Sequence, residues 1–197
     1  MDIRDIMASD EGYAGNLYNL PKEYASRAKD LCFKFNQLMP SQADEKKKIL
    51  NELLGTYSGK GFIAPGFQCD YGKNIHMHGL AVINYNCVIL DTSPVHLGDG
   101  VFIAPNVVIS PASHPVDMEQ RLKGIGTSKP VVLEDGVWIG ASSVILGGVS
   151  IGTGSVIGAG SVVTKDIPAG VIASGNPCTV RREITERDRL EPEDIIF

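Results

Sequence analysis

The four histidines are the side chains of this sequence best suited to proton transfer or metal binding, because imidazole titrates near neutral pH and ligates metals. His76 and His78 stand two residues apart and are expected on one side of a strand, where they could form a metal pair. No cysteine or third histidine follows at ligand spacing, which favours a structural role. His96 precedes an aliphatic position and is predicted at the surface or in a subunit contact.

His114 stands in a different setting from the other three. It lies in a polar segment between Pro111 and Pro115, and Asp117 and Arg121 follow closely. A histidine held in an ordered loop can remove a proton from a substrate at working pH. The residues alone leave two hypotheses for His114, a catalytic base and an ordinary loop histidine.

The second half of the chain carries an aliphatic residue at every sixth position. The run comprises Leu133, Ile139, Ile145, Ile151, Ile157 and Val163. A period of six fits neither a helix nor an isolated strand. It is typical of a solenoid whose coils have three flat faces, with one hexapeptide to each face and the aliphatic residue pointing inward.

The same register extends upstream in shorter runs. They are Ile63 and Cys69; Met77, Ile83 and Ile89; and Leu97, Ile103 and Ile109. Residues 111–130 interrupt the pattern with prolines and polar side chains. We therefore expect an ordered loop that leaves the coil near 111–130 and carries His114, since loops on rigid scaffolds are frequent sites of function.

The N-terminal region has helical periodicity instead. From residue 22 to 38 apolar residues recur at steps of four and three, which predicts an amphipathic helix. Ser41 and Asp44 resemble a capping box that would open a second helix ending near Leu54. The predicted organisation is a helical cap over residues 1–58, a β-helix over 59–180 and a C-terminal tail over 181–197.

Composition limits the classes of partner. The 197 residues include 18 Lys and Arg against 23 Asp and Glu, a net charge of −5, so nucleic acid is not an expected partner. No apolar stretch reaches the ~18 residues of a membrane span, and the N-terminus is acidic where a signal peptide is basic. The four cysteines form no CxxC pair, which favours free thiols in a reducing cytosol. We expect a cytoplasmic protein without a membrane partner.

Several motifs taken together resemble the maltose/galactoside O-acetyltransferase family of hexapeptide acyltransferases. They are FNQ at 35–37, CDYG at 69–72, INYN at 83–86, IAPNV at 103–107, HPVD at 114–117, WIG at 138–140 and VVTKDIP at 162–168. The resemblance covers roughly residues 15–185. It implies a mainly β protein built as a left-handed parallel β-helix, which transfers an acetyl group from acetyl-CoA to an acceptor without a metal.

The resemblance also implies roles for residues on the acceptor side. His114 matches the general base, which takes the proton of an acceptor hydroxyl as that oxygen attacks the acetyl thioester. Asn84 matches a residue beside this histidine that is close to both acceptor and thioester. Asp70 and Asp91 match acceptor-pocket positions, although a structural turn carboxylate is an equally good interpretation of either.

On the cofactor side, Ala141 matches a position whose backbone N–H can face the thioester oxygen and stabilise an oxyanion. The other positions that match the coenzyme A groove are Trp138, Ala159, Thr164, Lys165 and Arg182. Lys165 and Arg182 would hold the phosphates, which is how an acidic protein can bind a polyanion.

The chain departs from the family pattern at three places. Thr179 stands where a second phosphate-binding arginine is expected, and Arg181 could replace it. Asn19 and Thr92 stand where carboxylates are expected on the acceptor side. These changes leave open whether the acceptor is a sugar, another hydroxyl compound, or a drug or amine.

Two other classes of protein use such a coil. A γ-carbonic-anhydrase-type metal hydratase holds a metal with three histidines at a subunit boundary, but the histidines here lack a pair five residues apart. A non-catalytic scaffold would have no use for the HPVD loop. The sequence therefore predicts an acetyl-CoA-dependent O-acetyltransferase for a sugar-like small acceptor, assembled as a homotrimer whose flat-faced coils pack side by side.

Overall fold

A computed structural model describes residues 3–195 of the chain. The helices are α1 (Ile3–Met7), α2 (Lys22–Gln37), α3 (Ala43–Leu53) and α4 (Met118–Leu122), with 3-10 turns at Leu17–Asn19, Glu186–Asp188 and Pro192–Asp194. The strands are β1 (Tyr13–Asn16), β2 (Thr56–Tyr57), β3 (Gly61–Ile63), β4 (Gln68–Cys69), β5 (Ile75–Met77), β6 (Ala81–Ile83), β7 (Val88–Ile89), β8 (Val95–Leu97), β9 (Val101–Ile103), β10 (Val108–Ser110), β11 (Ala112–Ser113), β12 (Ile125–Ser128), β13 (Val131–Leu133), β14 (Trp138–Ile139), β15 (Val144–Leu146), β16 (Ser150–Ile151), β17 (Val156–Ile157), β18 (Val162–Val163), β19 (Val171–Ser174) and β20 (Thr179–Glu183).

The strands wind into a three-sided solenoid in which each side is a parallel sheet. We name each face by its outward residues: the histidine face (β2-β5-β8-β13-β16), the aromatic face (β3-β6-β9-β14-β17-β19) and the valine face (β4-β7-β10-β15-β18). Each six-residue repeat contributes one short strand and one corner, so the predicted register is confirmed.

The predicted inward positions form the core. Ile83, Ile103, Ile139 and Ile157 stack under the aromatic face, and each is at most 2% exposed. Burying such a side chain contributes about 1.5–3 kcal/mol, so the repeat itself supplies the stability of the coil.

The chain turns at three corners, two of which matter for function. The loop corner joins the valine face to the histidine face at residues 70–74, 90–94, 111–130, 147–149 and 164–166, and the asparagine corner joins the aromatic face to the valine face at residues 64–67, 84–87, 104–107, 140–143 and 158–161. Asn86 and Asn106 adopt φ of 60° and 61° in successive asparagine-corner turns. Asparagine tolerates this left-handed conformation better than most residues, which explains its place in the repeat.

The N-terminal helices pack against the first coil. Leu31 and Phe35 of α2 are buried in the same core as Phe67 of the coil. The predicted capping box is wrong, because α3 begins at Ala43 and Gln42, not Ser41, is its N-cap residue.

The segment 111–130 leaves the coil at the loop corner, as predicted, and has structure of its own. Strands β11 and β12 pair antiparallel, and β1 from the N-terminal region adds to β12 as a third strand. At the other end of the chain, β20 pairs antiparallel with β19. Among the described residues, no helix is both long and apolar enough to span a bilayer.

Candidate active site

His114 lies on the loop corner, directly after β11, with its side chain exposed. The backbone that follows it is fixed by Arg121, which donates to the carbonyl oxygens of Pro115 (2.8 Å) and Val116 (2.6 Å). Asp117 caps α4 by accepting the Gln120 N–H at 2.9 Å. The imidazole is therefore presented to solvent on a loop with a defined backbone.

The base of this loop is packed against the next coil. A Cβ on Gly147 would lie 2.6 Å from the carbonyl oxygen of Pro111, so only glycine allows this approach. The loop therefore begins in close backbone contact with this coil.

Asp70 and Asp91 occupy neighbouring turns of the loop corner, but only Asp70 is partly exposed. Asp91 is fully buried, and its carboxylate accepts N–H bonds from Asp70 (3.0 Å), Tyr71 (2.9 Å) and Asn74 (3.3 Å). Burial raises the pKa of Asp91 to about 7, and burial also raises the pKa of Asp70. The geometry gives Asp91 the role of holding the turn that presents Asp70.

Hydroxyl groups lie next to this acidic pair. The Thr92 and Ser128 hydroxyls are 2.7 Å apart, which ties the coil to the ejected loop. Tyr13 is the β1 partner of Ser128, and its phenol lies near Thr92. Sequence analysis missed Tyr13 and Ser128, because the pairing of β1 with β12 brings together residues more than 100 positions apart and leaves no local pattern.

The asparagine corner gathers residues predicted to lie near the thioester or in the coenzyme A groove. Asn84, Ala141 and Ala159 follow strands β6, β14 and β17 of the aromatic face, and therefore stack along one edge of the solenoid. The Asn84 side-chain oxygen accepts the Tyr85 N–H at 2.9 Å. Within residues 3–195 the Ala141 N–H has no hydrogen-bond acceptor, so this donor is available to a ligand.

Trp138 stands beside this edge on the aromatic face. Its side chain is 52% exposed, and the Phe102 side chain, its neighbour across the sheet, is 47% exposed. Exposed aromatic surface of this extent is typical of a binding site or an interface.

The predicted phosphate ligands lie near the other end of the coil. Thr164 and Lys165 are exposed on the loop corner, one coil beyond Leu146. Arg182, in β20, donates to both carboxylate oxygens of Asp188 at 2.7 and 2.5 Å. This pairing raises the pKa of Arg182 and lowers that of Asp188.

The replacement proposed for the missing arginine also has a partner. The Arg181 guanidinium donates to the Ser174 hydroxyl (3.0 Å) and carbonyl oxygen (2.8 Å). Part of its hydrogen-bonding capacity is therefore used to join β20 to β19.

His76, His78 and His96 meet on the histidine face, but in an arrangement suited to hydrogen bonds. His78 Nε2 lies 3.1 Å from His96 Nδ1, and His96 Nε2 lies 2.9 Å from Asp10. The His78 and His96 ring centroids are 5.3 Å apart with planes within 15°, so the two nitrogens point at each other and not toward a common ion. Among the described residues, no group of three or more His, Cys, Asp or Glu side chains could hold a metal.

Apart from Arg182 in β20, the predicted residues fall into two sets. The loop corner carries His114, Asp70, Asp91, Thr164 and Lys165, and the asparagine corner carries Asn84, Ala141 and Ala159 with Trp138 beside them. The valine face separates the two corners within one chain.

Comparison with known proteins places the chain in a family. A family model described as "Bacterial transferase hexapeptide (six repeats)" matches residues 130–165, and one described as "Maltose acetyltransferase hexapeptide capping motif" matches residues 14–59. The galactoside O-acetyltransferase of Escherichia coli is 44% identical over 83% of this chain and 80% of its own length.

Two solved structures are similar over almost the whole chain. A maltose O-acetyltransferase from Clostridium difficile has a TM-score of 0.86 and 39% identity, covering 94% of this chain and 99% of that one. A hexapeptide-repeat acetyltransferase from Vibrio cholerae, solved with acetyl coenzyme A, has a TM-score of 0.86 and 34% identity, covering 94% and 100%. These matches confirm the predicted left-handed parallel β-helix. The chain belongs to the hexapeptide-repeat acetyltransferases, in the family that includes the galactoside and maltose O-acetyltransferases.

Proposed function

We propose that this protein transfers the acetyl group of acetyl-CoA to a hydroxyl group of a sugar-like acceptor, at a site completed by two chains of a homotrimer. One observation carries the proposal: the general-base candidate and the thioester-facing residues occupy different corners of the same solenoid. Each chain then holds two half-sites that a neighbour must complete.

The valine face accounts for how the half-sites meet. Its outward residues Val88, Val108, Val144 and Val162 are all only half-buried in the single chain. If three such faces pack around a threefold axis, the apolar stripe is covered. The loop corner of each copy then lies beside the asparagine corner of the next.

The chemistry follows from the groups at the two corners. His114 takes the proton of the acceptor hydroxyl while that oxygen attacks the thioester carbonyl carbon. The Ala141 N–H donates to the oxygen that becomes negative in the tetrahedral intermediate, and Asn84 lies on the same edge. When the intermediate collapses, the carbon–sulfur bond breaks and His114 can return its proton to the departing thiolate.

The binding of coenzyme A is proposed along the groove between chains. Trp138 and the small Ala159 provide an apolar wall for the pantetheine arm. Lys165 supplies an exposed cation for the phosphates. Arg182 provides a second cation for the phosphates when its hydrogen bonds to Asp188 open.

The acceptor pocket is proposed around Asp70, Tyr13 and Thr92. A carboxylate next to two hydroxyls can accept and donate several hydrogen bonds, as a polyhydroxylated ring requires. A carboxylate would also attract an ammonium group, so an amine is the second candidate acceptor. We also propose a cytoplasmic location, because the four cysteines form no CxxC pair and lie at irregular spacings in the sequence.

The test is a thiol-release assay with acetyl-CoA against a panel of sugars, glycosides and amines. We expect release of coenzyme A that depends on a polyhydroxylated acceptor, together with a product whose mass rises by one acetyl group. Turnover restricted to amines would replace the sugar acceptor by the second candidate, and no acetyl transfer to any member would contradict the proposal.

A further inference from the structure

Two cysteines meet at the junction between the helical cap and the solenoid. Cys32 is in α2, and Cys69 ends β4 in the first coil. Their sulfur atoms are 3.6 Å apart, which is contact distance for two thiols and the separation of a weak S–H···S hydrogen bond. Both side chains are buried, Cys32 fully and Cys69 to all but 6%.

The two elements are held in register close to the thiols. Asn36, one helical turn after Cys32, donates to the Phe67 carbonyl oxygen and accepts the Gly66 N–H, both at 2.9 Å. These bonds keep α2 and the first coil together, so the two sulfurs remain neighbours in the native state. A disulfide requires them to approach by about a further 1.5 Å.

We propose that Cys32 and Cys69 are an oxidisable thiol pair, which a hydroperoxide converts into a disulfide that cross-links the helical cap to the solenoid. One thiolate attacks the peroxide oxygen and releases water, leaving a sulfenic acid. The sulfur of the second cysteine then attacks the sulfenic sulfur, and a second water leaves. Two thiols lose two electrons and two protons, and one hydrogen peroxide becomes two waters.

The surroundings assign different roles to the two sulfurs. The hydrogen bond from Cys69 lowers the pKa of Cys32, while the hydrogen bond with Cys32 and burial raise the pKa of Cys69. Cys32 therefore ionises more readily and attacks the peroxide first. Cys69 is the resolving thiol, and its proton leaves with the hydroxide that its sulfur displaces from the sulfenic acid. The Cys32–Cys69 disulfide would also fix the backbone directly before Asp70.

Cys87, in the next coil of the solenoid, provides the matched control. It is equally buried, but its sulfur lies 3.3 Å from the carbonyl oxygen of Ala104, an acceptor that cannot form a disulfide. A sulfenic acid at Cys87 would have no thiol to trap it. Oxidation is therefore expected to be selective for the pair.

The experiment treats the intact, reduced protein with hydrogen peroxide, blocks remaining thiols under denaturing conditions and digests it with trypsin. We expect the number of reactive thiols to fall from four to two, and one cross-linked peptide that joins residues 30–34 to residues 61–73. Dithiothreitol should restore all four thiols.

Thermal unfolding gives an independent readout, because a cross-link restricts the unfolded chain. The Tm of peroxide-treated wild type should rise by about 5–10 °C over its reduced form, and Cys87→Ala should behave the same way. Peroxide should leave the Tm of Cys32→Ala and of Cys69→Ala unchanged. A disulfide at other positions, sulfinic acids without a cross-link, or an unchanged Tm of the treated wild type would overturn the inference.

Discussion

The loop corner and the asparagine corner of the solenoid arise from the same hexapeptide repeat, yet they provide different kinds of chemistry. At the asparagine corner the repeat is regular, and the proposed functional groups are the backbone N–H of Ala141 and the side chain of Asn84. At the loop corner the repeat is broken by residues 111–130, and the proposed functional groups are the side chains of His114 and Asp70. A regular repeat can position backbone donors, whereas acid–base groups require a departure from it.

Removal of the His114 imidazole should lower activity more than any other change at the two corners. His114→Ala should lower kcat by about 10²- to 10⁴-fold, the range typical of a general base, while acetyl-CoA binding stays the same. Steady-state kinetics and calorimetry measure the two quantities. His96→Ala, on the histidine face, is the control and should keep near-native turnover. Loss of turnover in His96→Ala with near-native turnover in His114→Ala would place the chemistry on the histidine face and contradict the account.

A charge on the valine face should prevent the loop corner of one chain from meeting the asparagine corner of its neighbour. Val108→Glu puts an ionised side chain into the proposed threefold contact, so the protein should become monomeric and lose at least about 100-fold in activity. Val132→Glu makes the same change on the histidine face and should leave a trimer. Sedimentation measures the assembly, and a fully active Val108→Glu monomer would contradict the shared site.

The cationic groups of the coenzyme A groove should show a smaller and graded effect. Lys165→Ala should raise the KM for acetyl-CoA by about 10- to 100-fold, since a charge-assisted contact to phosphate contributes about 1.5–3 kcal/mol. Arg182→Ala should raise this KM by a smaller factor, because the Arg182 guanidinium is already paired with the Asp188 carboxylate. Asp188→Asn should lower the KM, and Lys34→Ala on α2 should leave it unchanged.

The buried carboxyl of the loop corner should appear in the pH dependence of stability. The pKa of Asp91 is raised to about 7 in the folded protein, above its unfolded value, so folding binds a proton between pH 4 and 7. Stability from this group is therefore present at low pH and is lost as pH rises toward 7. Relative to Asp91→Asn, wild type should lose roughly 1–3 kcal/mol between pH 5 and 8 in urea titrations. Equal slopes would show that Asp91 does not titrate in this range.

The two corners also differ in how far the sequence predicts them. The period of six placed Ile103, Ile139 and Ile157 inward and located the 111–130 loop, because each inward position depends only on its neighbours in the repeat. The contacts of Tyr13 with Thr92 and Ser128 could not be predicted, since they depend on long-range pairing of β1 with β12. The bond between Arg182 and Asp188 also leaves no signal, because exposed charges pair in many alternative ways.

The central claim is that each active site uses His114 from one chain and Asn84 from its neighbour, and hybrid trimers test it directly. His114→Ala and Asn84→Ala chains, each of low activity alone, are co-expressed with two different tags, and trimers that carry both are isolated. In every trimer that carries both variants, about one third of the sites (one of three) receive a native His114 and a native Asn84 from adjacent chains. The account predicts recovery of roughly that fraction of wild-type activity. Hybrid trimers no more active than the single variants would show that both residues must belong to one chain, which would contradict it.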